Sequence, residues 1–134
     1  MCRKTNEQIS SFEKVTLRID GMRGSHVYEL VADGDKAHLN LYVVRYVQGK
    51  REDVLELDCS KDVVTVEALS KLGEVNILAW DGFSGNHPRG VLDGDMFRFD
   101  AVVNGRKIKA DGSANFPNGY RDFVRWMGEV LRTR

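Results

Sequence analysis

The sequence predicts an α+β fold: a curved antiparallel sheet of about seven strands, a C-terminal amphipathic helix packed on one face, and one short internal helix. Three observations predict it. Apolar residues alternate with polar ones in several separate runs, the signature of half-buried strands. Five Asp-Gly dipeptides and Asn104-Gly105 punctuate the chain, against only two prolines, and such pairs favour hairpin turns. The last fifteen residues switch to helical spacing. Strands followed by a closing helix argue against a parallel doubly wound sheet.

The elements follow in chain order. Val15, Leu17 and Ile19 alternate with Thr16, Arg18 and Asp20 and give a first strand. Residues 26–32 give a second, with Tyr28, Leu30 and Ala32 on one face. Asp33-Gly34 turns the chain into a long third strand, about 37–47. Its two faces, Leu39/Leu41/Val43/Val47 and Tyr42/Val44/Tyr46, are both apolar, which predicts a central position covered on both sides. Residues 53–59 give a fourth strand with Leu55, Leu57 and Cys59 inward and Glu56 and Asp58 outward. Val66, Leu69 and Leu72 then predict a short helix, capped by Thr65 and stopped by Gly73. Residues 75–80 read as a fifth strand. A glycine-rich loop covers 81–95. Phe97, Phe99, Ala101 and Val103 mark a sixth strand, and Asn104-Gly105 turns it into a seventh at 106–110. Tyr120, Phe123, Val124, Met127, Val130 and Leu131 form the stripe of the closing helix, entered through Pro117 and Asn118.

Length and composition bound the rest. One domain over 12–134, preceded by a polar leader at 1–11 expected to be disordered, accounts for the 134 residues. Hydrophobic residues make up 42% and charged residues 30%, which excludes a disordered chain. No apolar run approaches the roughly 20 residues of a membrane helix. Twenty basic and twenty acidic side chains cancel, so no overall field recruits nucleic acid. The middle, residues 52–95, holds ten acidic and three basic residues, while both ends are basic. Cys2 and Cys59 make neither a disulfide framework nor a zinc spacing. Two compartments stay open: a reduced cytoplasmic protein, or a bacterial lipoprotein tethered through Cys2 after signal-peptide removal.

The second half has an ordered series of features: Trp80-Asp81-Gly82-Phe83, Val91-Leu92-Asp93-Gly94-Asp95-Met96-Phe97, Asn104-Gly105-Arg106, and Ala110-Asp111-Gly112-Ser113-Ala114-Asn115-Phe116-Pro117 before an amphipathic helix. Over residues 77–131 this resembles uncharacterised bacterial α+β domains that end in a Trp-x-Gly-Phe-like loop, an Asp-Gly hairpin and a Gly-Ser-x-x-x-Pro helix start. The resemblance implies an α+β domain of bacterial origin and carries no activity.

The 80–97 loop is the candidate ligand site, because long loops without their own structure are usually functional. Trp80 and Phe83 would stack on a small polar ligand, while Asp81, His87, Arg89, Asp93 and Asp95 would orient it. The competing reading has the two aromatics plugging the end of the sheet and the aspartates satisfying turn amides. The calcium-loop spacing is missing, the three histidines lie far apart, and no nucleophile elbow occurs. The sequence therefore assigns no catalytic residue, no metal site and no cofactor. Glu56 and Asp58 read as an acidic outer strand face, and Gly21–His26 as a turn. The leading expectation is a non-enzymatic binding or protein-interaction module, monomeric or homodimeric, whose partner is a small molecule or a protein. A small hydrolase-like or ligand-modifying enzyme using the 80–97 loop is the alternative. A third reading is an assembly protein joined through the Tyr42/Tyr46 face.

Overall fold

A computed structural model of the chain describes residues 9–21, 24–45, 48–49, 54–86 and 95–132. Seven strands form one open sheet: β1 (Phe12–Gly21), β2 (Gly24–Asp33), β3 (Lys36–Arg45), β4 (Val54–Val64), β5 (Ser84–Gly85), β6 (Met96–Val103) and β7 (Arg106–Ser113). Two α-helices, α1 (Thr65–Glu74) and α2 (Tyr120–Arg132), and a 3₁₀ turn at Ile77–Trp80 complete the fold. The strand order is β4-β3-β2-β1-β6-β7-β5. All neighbours are antiparallel except the two-residue β5, which runs parallel to β7.

Period-2 alternation decides the faces. Val15 and Leu17 of β1 pair with Leu30 and Tyr28 of β2 on one side and with Ala101 and Phe99 of β6 on the other. Leu30 pairs with Leu39, and Phe99 with Ala110. These residues, with Phe97, Val103 and Ile108, join the one hydrophobic cluster that α1 and α2 cover. The opposite face carries Lys14, Arg18, Asp20, Glu29, Arg98, Asp100, Lys107 and Lys109 and faces solvent. The hairpin turns use the chemistry their dihedrals demand. Asn104 and Gly105 both adopt positive φ, 53° and 73°, as a two-residue primed turn requires. The Asn104 side chain also accepts hydrogen bonds from the backbone N–H groups of Ser10, at 2.8 Å, and Ser11, at 3.2 Å. With Ile9 packed against the core, this ties the start of the described chain to the β6–β7 turn. Residues 1–8 of the expected leader lie outside the described residues.

Helix α2 buries Tyr120, Phe123 and Met127, one side chain per turn, with Val124, Trp126, Val130 and Leu131 half-buried around them. Helix α1 differs from its expected form. Val64 occupies the N-cap position without a side-chain bond, and Gly73 lies inside the helix, which ends at Glu74. Thr65 instead donates its hydroxyl to Gly34 O at 2.8 Å, which fastens the helix start to the β2–β3 turn. Val66 is 71% exposed, and Ala68 with Leu72 makes the buried stripe.

Three further expectations are corrected. Residues 75–80 are not a strand: Asn76 takes a left-handed conformation, φ 56°, and the following residues tighten into the 3₁₀ turn. The fifth strand is Ser84–Gly85 instead. β3 is not central but second from the edge, and β1 holds the middle. β4 does not turn Leu55, Leu57 and Cys59 to one side. The register pairs Leu41 with Cys59 but Tyr42 with Leu57, which leaves Asp58 unmatched. That extra residue is a β-bulge, and it reverses the facing of everything before it. Leu55 and Leu57 therefore stand on the open face, 47% and 54% exposed. The alternation that would set Asp58 beside Glu56 is broken at the same point.

The burial of α2 predicts that Phe123→Ala costs about 3–5 kcal/mol, as fully buried Phe truncations do. The cost is read as a lowered melting temperature in thermal denaturation. A melting temperature within two degrees of wild type would make the helix peripheral.

Candidate functional site

Trp80 ends the 3₁₀ turn and enters the core, 1% exposed. Its ring meets Phe99 edge-on at 4.9 Å and Phe123 at 5.9 Å. The indole Nε1–H donates to Asn118 O at 2.9 Å, so its polar tip is satisfied at the entry to α2. Phe83 is half-buried against the same cluster, its ring 6.2 Å from that of Phe97. Asp81 Oδ1 accepts the backbone N–H of Lys109 at 3.1 Å. Gly82 N–H donates to Lys109 O, and Asp111 N–H to Phe83 O. These bonds sew the stretch after Trp80 onto β7 and create β5. Asp95 is exposed at the entry to β6, and its backbone oxygen accepts the Ala114 N–H at 2.8 Å.

The described half of the loop thus holds Trp80 and Phe83 against the sheet end and Asp81 on a backbone amide. His87, Arg89 and Asp93 lie outside the described residues. An open concavity beside the loop is lined by Asp20, Asn86, Arg98, Asp111 and Ser113. Its chemistry is that of paired charges. Arg18 and Arg98 stand directly opposite each other on β1 and β6, and Asp20 takes Arg18 Nε on both carboxylate oxygens at 3.1 Å. Burial raises the Asp20 pKa, but hydrogen bonds from Arg18 and Ser25 outweigh it and hold the carboxyl below its ordinary value.

Burial, then the charge of Asp58, pushes the Cys59 thiol up, away from the lowered values that activate a thiolate. Burial, then Asp95, pushes the Tyr120 hydroxyl far above the ordinary phenol range. His38, on the open face of β3, has Nδ1 2.6 Å from Asp62 Oδ1 and Nε2 3.3 Å from Asp33 Oδ2. Among the described residues no group of three His, Cys, Asp or Glu could hold a metal ion, and no helix is long and apolar enough to cross a membrane.

The open face extends the apolar Tyr42/Val44 side of β3 onto β4. Val27, Tyr42 and Leu57 lie side by side across β2, β3 and β4, and Val44 pairs with Leu55 beside them. Together they form an apolar corner, with Val27 buried and Leu55 and Leu57 exposed, on a face that is otherwise mostly polar or charged. Tyr42 of the expected Tyr42/Tyr46 face stands at its middle, and Tyr46 lies outside the described residues. Strict alternation buries Leu55 and Leu57. The bulge that exposes them leaves no mark in the residue pattern. No family model, no curated protein and no solved structure matches the chain.

Two outcomes follow from this geometry. Trp80→Ala is expected to cost about 3–5 kcal/mol, since it opens a cavity and strands the Asn118 carbonyl, whereas Trp80→Phe costs less. Equal melting temperatures for wild type and Trp80→Ala would place the ring outside the core. The His38 pKa is raised above 6.5, first by its bond to Asp62 and then by that to Asp33. The stabilisation is full below the unfolded-state pKa and is lost as pH rises through the folded-state pKa. Asp62→Asn should lower the His38 pKa in an NMR titration. An unchanged midpoint would show that the contact is not populated.

Proposed function

We propose that the chain is a non-enzymatic protein-interaction module whose contact surface is the apolar corner of the open face at β3 and β4. The observation that carries this reading is the exposure of Leu55 and Leu57 beside Val27, Tyr42 and Val44. Isolated exposed leucines are ordinary, but a contiguous apolar patch rimmed by charge marks a site of association. Glu29 borders the patch. It accepts the Tyr42 hydroxyl at 3.4 Å and pairs with Lys14 at 3.2 Å. This gives the surface the apolar centre and polar rim of a protein interface. The described part of the 80–97 loop supports no competing enzymatic reading, because Trp80 and Asp81 are taken up by the core and by a backbone amide.

The test uses a photo-crosslinking residue placed at position 57, with position 107 on the same face as control. A partner caught at 57 and not at 107 is identified by mass spectrometry, purified and rebound. Leu57→Lys is expected to weaken that binding by roughly tenfold or more, as truncation at an interface centre does, with the fold intact by circular dichroism. Equal crosslinking at both positions, or unchanged affinity in Leu57→Lys, would overturn the assignment of this surface.

A further inference from the structure

We propose that two copies of this chain join β4 to β4 in antiparallel fashion across a two-fold axis, so that their sheets become one. Among the described residues, β4 is an edge strand of 11 residues, paired with β3 alone. A long unpaired edge is a template for another strand, and proteins commonly block such edges with charges and bulges. β4 has both, but here they are arranged so that the strand complements itself.

Strand partners share a face, so the register with β3 gives the facing of each β4 residue. Glu56 pairs with Val43, Cys59 with Leu41, Lys61 with Leu39 and Val63 with Ala37. These point to the helix side, as does Val54 opposite Arg45. Leu55, Leu57, Ser60 and Asp62 pair with Val44, Tyr42, Asn40 and His38 on the open side. Because of the bulge, this pattern is mirror-symmetric about the midpoint of Asp58 and Cys59. A second β4 turned about that point sets Leu57 against Ser60, Leu55 against Asp62, Glu56 against Lys61 and Val54 against Val63, each pair on a matching face. A strictly alternating strand mismatches every pair in that register, since a one-residue slip inverts all facings.

Charge then selects among the face-matched registers. The one centred between Asp58 and Cys59 forms the Glu56–Lys61 pair twice by symmetry. The neighbouring registers, which match faces only away from the bulge, set Glu56 against Val63 or Cys59 and lose both pairs. Glu56 also pairs with Arg45 on its β3 side. An isologous two-fold contact of this kind is the commonest form of self-association. The pairing uses the strand edge, whereas the interaction reading uses the open face, so each can fail without the other. If both hold, the dimer displays two apolar corners on the same side of one continuous sheet.

The test is sedimentation of the full chain over a dilution series, with folding followed by circular dichroism. Wild type is expected to sediment as a dimer that dissociates on dilution. Glu56→Lys and Lys61→Glu each set like charges opposite one another and should weaken the dimer by roughly tenfold or more. The double reversal restores opposite charges and should bind more tightly than Lys61→Glu alone. A wild-type chain that is monomeric at every concentration overturns the proposal. So does a dimer indifferent to both single reversals, or a double variant no tighter than Lys61→Glu.

Discussion

The space between the sheet and α2 is closed by aromatic rings, and the rest of the molecule hangs on that closure. Trp80 is its centre. It contacts Phe99 from the sheet and Phe123 from α2, while Tyr120 bridges Phe97 and Phe116 at 5.0 and 4.5 Å. Edge-on and tilted ring contacts of this kind add to the area they bury. The indole bond to Asn118 O fixes where α2 begins. Gly119 accepts the resulting crowding, because a Cβ there would stand 2.6 Å from Val75 O. The 3₁₀ turn, the start of α2 and the end of the sheet are therefore held by one side chain. A residue this committed to packing is not available to a ligand, which removes the most conspicuous member of the loop site.

The molecule is consequently two-sided. One face of the sheet is covered by both helices, and the other carries ion pairs and the apolar corner of β2, β3 and β4. Its two edges also differ. β7 is protected by the short parallel strand β5, sewn on by Gly82 and Phe83. Among the described residues no strand covers the far edge of β4. Both proposed association surfaces therefore lie at the β3–β4 end, away from the loop that the residue types first suggest.

Much of this was legible in the residues, and the failures share a cause. β1, β2, β6, β7 and α2 are set by strong local periodicity and by turns whose dihedrals demand Asn-Gly or Asp-Gly, so their existence and buried faces follow from pattern alone. Residues 75–80 fail because an apolar run of that length suits a strand and a buried tight turn equally, and only contact with β6 and α2 decides. Val66 and Thr65 fail because tertiary contacts, not propensity, set the ends of α1. The open-face corner was hidden for a sharper reason. One unmatched residue at Asp58 inverts the facing of Leu55 and Leu57, and no composition or period records an insertion in a strand's register. The candidate site was the least legible part, since aromatic and acidic residues in a glycine-rich loop look alike whether they hold a ligand or close a core.

The placement of β1 at the middle of the sheet has a kinetic consequence. β1 to β4 form a local meander, each strand pairing with the next along the chain. The second neighbour of β1 is β6, so Phe12 finds its partner at Val103. Closing so long a loop costs entropy before any contact repays it. During synthesis, the central strand therefore waits with one flank bare until most of the chain has left the ribosome. The Asn104 clasp on Ser10 and Ser11 forms at that same late step. The rate of folding is thus expected to follow the docking of the β6–β7 hairpin rather than the formation of either helix.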